Sequence, residues 1–218
     1  MNIFNVGFLG ATVLEDNEVY TFDQFVTTGW AGLNSNIGIS GGNLNYNIVR
    51  NGSSYAASYD LGKKLSNNKW VLRMAVNITG RAYAGGSNII GFFGMSDRND
   101  GAATAQNFLG VSPASNNPWN AVYKENASLA VSAPDLGQPT PTVTKYFEII
   151  RTSSTEMSFA VYDNSDYTGE FSSGTATISA GITDLQYLKI CNFESGSGSG
   201  TVTGQILNLT IYNNVTSV

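Results

Sequence analysis

The residues best suited to sugar chemistry stand close together in one stretch. Trp119, in the segment SNNPWNAVY, has Asn116, Asn117, Asn120 and Tyr123 around it. Recognition of a pyranose needs a flat aromatic face beside amide and hydroxyl groups, and this stretch supplies both. Tyr83, in RAYAGGSN, is a second candidate for a glycan-binding residue. The competing reading makes Trp119 a lid folded back on the core. A hard cation asks for oxygen ligands on a turn, and Asp97, Asn99 and Asp100 in the run Asp97-Arg98-Asn99-Asp100-Gly101 offer them to calcium. The spacing is not that of an EF-hand loop, and Asp, Asn and Gly are equally what a plain turn wants. Asp23, in TFDQF, is either a further oxygen donor or an ordinary turn aspartate.

Other chemistry is excluded by composition. The chain has no histidine, which removes Ser-His-Asp and Cys-His catalysis and any metal site built on imidazole. No glycine-rich loop ends in Gly-Lys-Ser/Thr, so a phosphate-cradling loop is missing. The lone Cys191 sits in an apolar run, which favours a buried thiol and allows no internal disulfide. Glycoside hydrolysis needs only two carboxylates. The nearest acidic cluster, Glu15-Asp16-x-Glu18, lies in a weakly patterned N-terminal stretch, and Glu148 has no carboxylate two or four residues away. Two carboxylates brought from distant strands remain the route left to a hydrolase. The catalytic inventory is otherwise empty, and the expectation is a protein that is not an enzyme.

The elements that must position these side chains read as strands. Lys145–Thr152, Glu156–Tyr162, Leu185–Phe193 and Gly204–Tyr212 are short runs rich in β-branched and aromatic residues, separated by Ser, Asn, Asp and Gly clusters. That rhythm predicts an antiparallel sandwich or barrel. Earlier strands are expected at Val19–Val26, Ile37–Ile39, Asn43–Val49, Ser54–Asp60 and Asn88–Met95. In Trp70–Ile78 the residues Trp70, Leu72, Met74, Val76 and Ile78 alternate with more polar neighbours, and a period of two turns them to the core. Between Asp97 and Pro141, where all five prolines fall, the pattern weakens apart from Asn107–Val111. This stretch reads mainly as loops with one short hairpin, plus a helical turn near Ala102–Gln106. The run Gly196–Gly200 reads as a hairpin tip.

Length and composition set the frame. The 218 residues suit one large all-β domain over 19–218, preceded by an arm or first strand over 1–18. Charged residues are 12 % of the chain, about half the usual share, while 11 Phe, 11 Tyr and 3 Trp argue for a packed interior. The surface is therefore covered by neutral hydrogen-bonding side chains, as on proteins of virions or the cell exterior. The net charge of −5 and the scattered 11 Lys plus Arg leave no basic stripe for nucleic acid. No run reaches the roughly 18 apolar residues of a membrane span, and the N-terminal stretch lacks the positive residue of a secretory signal.

The order of elements carries a resemblance. YTFDQF…GW leads into IGISGGNLNYNI, then YDLGKKLSNNKWVLRMAVNI and GFFGMSD, then YFEIIRTSSTEMSFAVYDNSDYTG and LQYLKICNF…GTVTGQILNLTIYNN. Over roughly residues 19–213 this resembles the concanavalin A-like, laminin G-like jelly-roll superfamily, and is similar to lectin-like modules of phage and archaeal-virus structural proteins. The resemblance implies an all-β, two-sheet antiparallel β-sandwich with any ligand on the concave face or at the rim loops. Enzymes of this fold resembling laminarinases carry Glu-x-Asp-x-x-Glu on one strand, and that motif is absent here. The function so implied is a lectin-like structural protein on the virion surface, as capsid decoration, fibre or tail module. Its partners would be other virion proteins or copies of itself, with host glycans as ligands and calcium as a cofactor if the 97–100 turn holds it. The alternative is a secreted or cell-surface carbohydrate-binding domain of a larger protein.

Overall fold

The structure is a computed structural model, and it describes residues 17–50, 55–84, 91–99, 106–112, 120–125, 128–135, 142–192, 199–215 and 217–218. Among these the chain runs through β1 (Val19–Phe22), β2 (Trp30–Ala31), β3 (Ile37–Ser40), β4 (Asn43–Arg50) and β5 (Ala56–Asp60). It continues through β6 (Trp70–Ala84), β7 (Gly91–Ser96), β8 (Phe108–Ser112), β9 (Asn120–Glu125) and β10 (Ser128–Asp135). The last third supplies β11 (Thr144–Arg151), β12 (Glu156–Tyr162), β13 (Glu170–Thr177), β14 (Tyr187–Asn192) and β15 (Ser199–Asn213). All pairings are antiparallel. They build an eight-stranded sheet in the order β13-β12-β11-β6-β15-β4-β3, with β1 beside β15, and a seven-stranded sheet in the order β10-β9-β8-β7-β14-β5-β2.

The two longest strands form the spine of the larger sheet. β6 and β15 pair from Ser199↔Ala84 to Asn213↔Trp70, with irregularities between Thr203 and Gly204 and between Ile206 and Asn208. The alternation read in Trp70–Ile78 holds: Trp70, Leu72, Met74, Val76 and Ile78 are all buried in the core. From the facing sheet Phe93, Met95, Leu109, Val111, Leu188 and Ile190 meet them. Apolar surface of this kind, stripped of water between two sheets, is the main stabilising term of a sandwich.

The smaller sheet is buried on its outward side as well. Leu109, Val111, Leu188 and Ile190 belong to the core, while their strand neighbours Phe108, Lys189 and Cys191 are also nearly inaccessible. Cys191 is a buried thiol in no disulfide. Gly94 and Gly110 face each other across β7 and β8. A Cβ on Gly94 would stand 2.2 Å from the Leu109 carbonyl oxygen and 2.6 Å from Gly110 Cα, so only glycine permits this approach.

Several expectations are corrected. The strand pattern at Asn107–Val111 appears as β8, but the rest of the 97–141 stretch, expected to be loops with one short hairpin, also contributes β9 and β10 to the edge of the smaller sheet. β9 hid because Ala121, Val122 and Lys124 are all buried, which erases the polar–apolar alternation that marks a half-exposed strand. β10 is an edge strand whose Pro134 falls in the register break between Ser132 and Asp135, where a missing N–H costs little. β13, reading EFSSGTAT, was not expected at all; it is another largely exposed edge strand, held by its ladder to β12. The first strand stops at Phe22 rather than Val26: Phe25 turns into the core and its N–H donates to the Gly42 carbonyl. Ser199 and Gly200 belong to β15, not to a hairpin tip. Residues 1–16 of the stretch expected as an arm or first strand over 1–18, the tight turn at Asn51-Gly52 and residues 102–105 of the helical turn lie outside the described residues.

Candidate functional site on the outer face of the larger sheet

In the larger sheet, the residues of β4 that turn away from the core, with their register partners on β15 and β6, form a polar strip. β4 reads Asn43-Leu-Asn45-Tyr-Asn47-Ile, so its amides alternate with the buried Leu44, Tyr46 and Ile48. Register carries the pattern across, with Gln205 opposite Asn45 and Asn77, and Thr203 opposite Asn47. Along this face, with the 34–36 loop on one side, runs a groove of about 440 Å³ lined by Asn45, Asn47, Thr79, Thr203 and Gln205 among others. That volume lies within the usual range of small-ligand clefts, about 300–1,000 Å³.

The groove wall is held by its own hydrogen bonds. Gln205 Nε2 donates to Asn45 Oδ1 at 2.9 Å, and Asn45 Nδ2 donates to the Asn43 carbonyl at 3.1 Å. Asn34 Oδ1 accepts the N–H groups of Asn36 (2.7 Å) and Ile37 (3.1 Å), which fixes the loop as an Asx turn. Beneath lies Tyr46, its ring edge-on to Phe93 at 4.8 Å. Gly204 makes room for it, since a Cβ there would meet the Tyr46 hydroxyl at 2.4 Å and the Asn77 carbonyl oxygen at 2.2 Å. Burial pushes the Tyr46 phenol far up, so it stays protonated. Two acceptors, Asn47 Oδ1 and Asn77 Oδ1, are buried with no hydrogen-bond partner among the described residues. Unmet buried acceptors are uncommon and call for an explanation.

The opposite end of the same face is charged and aromatic. Arg73 Nε donates to Glu148 Oε2 at 2.6 Å, and the Tyr162 hydroxyl donates to Glu148 Oε1 at 3.2 Å. Tyr167, held at φ 58° in the β12–β13 loop, lies over the guanidinium of Arg73 at 4.2 Å and packs edge-on to Tyr146 and Tyr162. Burial pushes its phenol up. A second groove of about 230 Å³ adjoins this cluster, lined by Glu148, Ser158, Tyr162, Glu170 and Ser173 among others. Here two carboxylates from different strands share one depression.

None of the described residues singled out in the sequence for glycan or calcium binding is among those lining either groove. Trp119, Asn117, Asn116 and Asp100 lie outside the described residues. Tyr123 is half-buried and packs against the core from β9, while Asn120 opens that strand opposite Ser112. Tyr83 belongs to β6 of the larger sheet, paired with Gly200. Asp97 sits at the β7 exit, where its Oδ1 accepts the Asn107 N–H at 2.9 Å; burial pushes its carboxyl up, against the pull of that bond. Asn99 offers its backbone carbonyl to the Ser58 hydroxyl at 3.3 Å. Among the described residues no three metal-ligating side chains gather at one point. The groove amides were missed, although the alternating Asn43, Asn45 and Asn47 of NLNYNIV were a signal in plain sight.

No protein-family model matches the chain, and no curated protein does. Solved structures do. A protein of unknown function from Shewanella oneidensis MR-1 superposes with a TM-score of 0.61 at 9 % identity, covering 93 % of this chain and 88 % of that one. Lectin II from Ulex europaeus gives 0.56 at 11 % identity, over 91 % of this chain and 100 % of that one. The CBM2 module of the evolved Dit protein of Lactobacillus casei BL23 phage J-1 gives 0.52 at 15 % identity, over 93 % and 98 %. At such identities the likeness is one of fold. The chain is a two-sheet antiparallel sandwich with the jelly-roll architecture of lectins.

Proposed function

We propose that this chain is a non-enzymatic, lectin-like module that binds carbohydrate in the amide-lined groove of its larger sheet and is displayed on the surface of a virion. The observation that carries the binding is the groove itself, where Asn, Gln, Thr and Ser side chains converge and where Asn47 brings a buried acceptor with no partner among the described residues. Such groups match the donors and acceptors of a polyol. The fold adds support, being shared with a plant lectin also solved in complex with galactose and with a phage Dit module. The virion setting rests on that second likeness and on the sparsely charged surface. The alternative setting, a secreted or cell-surface carbohydrate-binding domain, uses the same groove.

Glycan-array binding tests the reading, with Gln205→Ala and Trp119→Ala as separate variants. Loss of signal in Gln205→Ala places binding in the groove. Loss only in Trp119→Ala moves it to the aromatic loop and removes the groove from the argument. The virion part is tested by probing purified particles from the source with an antibody; absence of the protein from particles sinks it.

A second reading, glycoside hydrolysis, is favoured by one observation: Glu148 and Glu170 line the same depression beside Tyr162. Against it, Glu148 is tied to Arg73 and Tyr162. Reducing-sugar release that vanishes in both Glu148→Gln and Glu170→Gln would establish the hydrolase.

A further inference from the structure

We infer that the groove selects uncharged glycans and holds them without a metal ion, an inference that rests on the carbohydrate-binding reading. Among the described residues lining it there is no Asp, Glu, Lys or Arg. Its polar groups are amides, hydroxyls and backbone, together with a tyrosine hydroxyl kept neutral by burial. A uronic acid, sialic acid or sulfated sugar entering here would lose water from its anion and find no cation in exchange. That desolvation is costly unless the charge is paired.

The described cations nearby do not supply the pairing. Arg73 lies six positions from Thr79 along β6, about 20 Å at the rise of a strand, and is engaged by Glu148 and the Val218 carbonyl. Arg81 is closer in sequence, but its register partner is the core residue Val202, which puts it on the opposite side of the sheet from Thr203. The unfilled groups point the same way. Asn47 Oδ1 in the lining, and Asn77 Oδ1 on the strand beside Gln205, are buried acceptors that ask for a donor. A sugar hydroxyl donates; a carboxylate or sulfate does not. Metal independence follows from the same inventory: amide and backbone oxygens alone bring no charge to offset a hard cation's lost hydration, and the described lining has no carboxylate.

The test is a glycan array that pairs neutral glycans with sialylated, uronic and sulfated versions of the same cores, followed by calorimetry on the strongest neutral binder. The neutral member of each pair should bind at least about tenfold tighter, a difference of about 1.4 kcal/mol. Chelation by EDTA should leave its affinity unchanged, and raised salt should change it less than twofold. Gln205→Lys should narrow the neutral preference by placing a cation in the lining. Acidic glycans bound equally well, and lost in Gln205→Ala, would overturn the inference while leaving the carbohydrate reading intact. EDTA-sensitive binding in the groove would overturn it too. Binding to no glycan at all would remove the carbohydrate reading and this inference with it.

Discussion

Glu148→Gln removes the anion that faces Arg73 while keeping the shape and much of the hydrogen bonding of the cluster. The size of the effect follows from exposure. Exposed ion pairs contribute about 0.2–1 kcal/mol, whereas breaking a buried pair costs about 3–5 kcal/mol. The Arg73 and Glu148 side chains retain 20 % and 10 % of their accessible surface, which places the pair between the two limits. Glu148 also accepts from Tyr162, and Arg73 carries the ring of Tyr167, so the charge holds three elements together. A coupling of about 2 kcal/mol is therefore expected. It is measured by urea unfolding of the wild type, Glu148→Gln, Arg73→Met and the double variant. At a slope of about 3 kcal/mol/M, a 2 kcal/mol loss in Glu148→Gln lowers the midpoint by about 0.7 M. A coupling energy below about 0.5 kcal/mol would refute the reasoning, showing that water screens this pair as it does an exposed one.

Three further outcomes are expected. Gly94→Ala should destabilise by at least about 2 kcal/mol, because the atoms it strikes are backbone and cannot swing aside; a neutral result in thermal unfolding would show that the two strands can part there. Cys191 should react with a thiol reagent only as fast as the protein opens, so labelling should track denaturant concentration; rapid native-state modification would contradict its burial. The third concerns pH. Burial raises the Asp97 carboxyl, so the folded state disfavours its charge, and its contribution is fully present at low pH and lost as pH rises through the raised value. Asp97→Asn should thus be at least as stable as wild type at pH 7, with the advantage gone near pH 3. A calcium-dependent rise in melting temperature that disappears in Asp97→Asn would instead give that turn to the cation.

Much of the fold was legible because a half-buried strand writes itself as a period of two. Trp70 to Ile78 shows it plainly, and so do Tyr146 to Tyr162 around a Ser-Ser turn. The signal failed in two opposite situations. In β9 both faces are covered, so alternation vanished; in β13 and β10 one edge has no partner, and Ser, Gly, Thr and Pro were tolerated in strands that neighbours hold in place. Propensity is weak where a ladder already supplies the hydrogen bonds.

The site divided along the same line. That the surface would be polar and little charged, that no histidine chemistry was available, and that Cys191 would be buried all followed from residue types alone. Which amides meet did not. Asn45 and Gln205 are 160 residues apart and bond because β15 happens to lie beside β4 at that register; Arg73 and Glu148 are 75 apart and join β6 to β11. Sequence sets which side of a strand a residue takes, since that depends only on the parity of its position. Its neighbour on the next strand depends on strand order and register, and those are properties of the whole folded sheet.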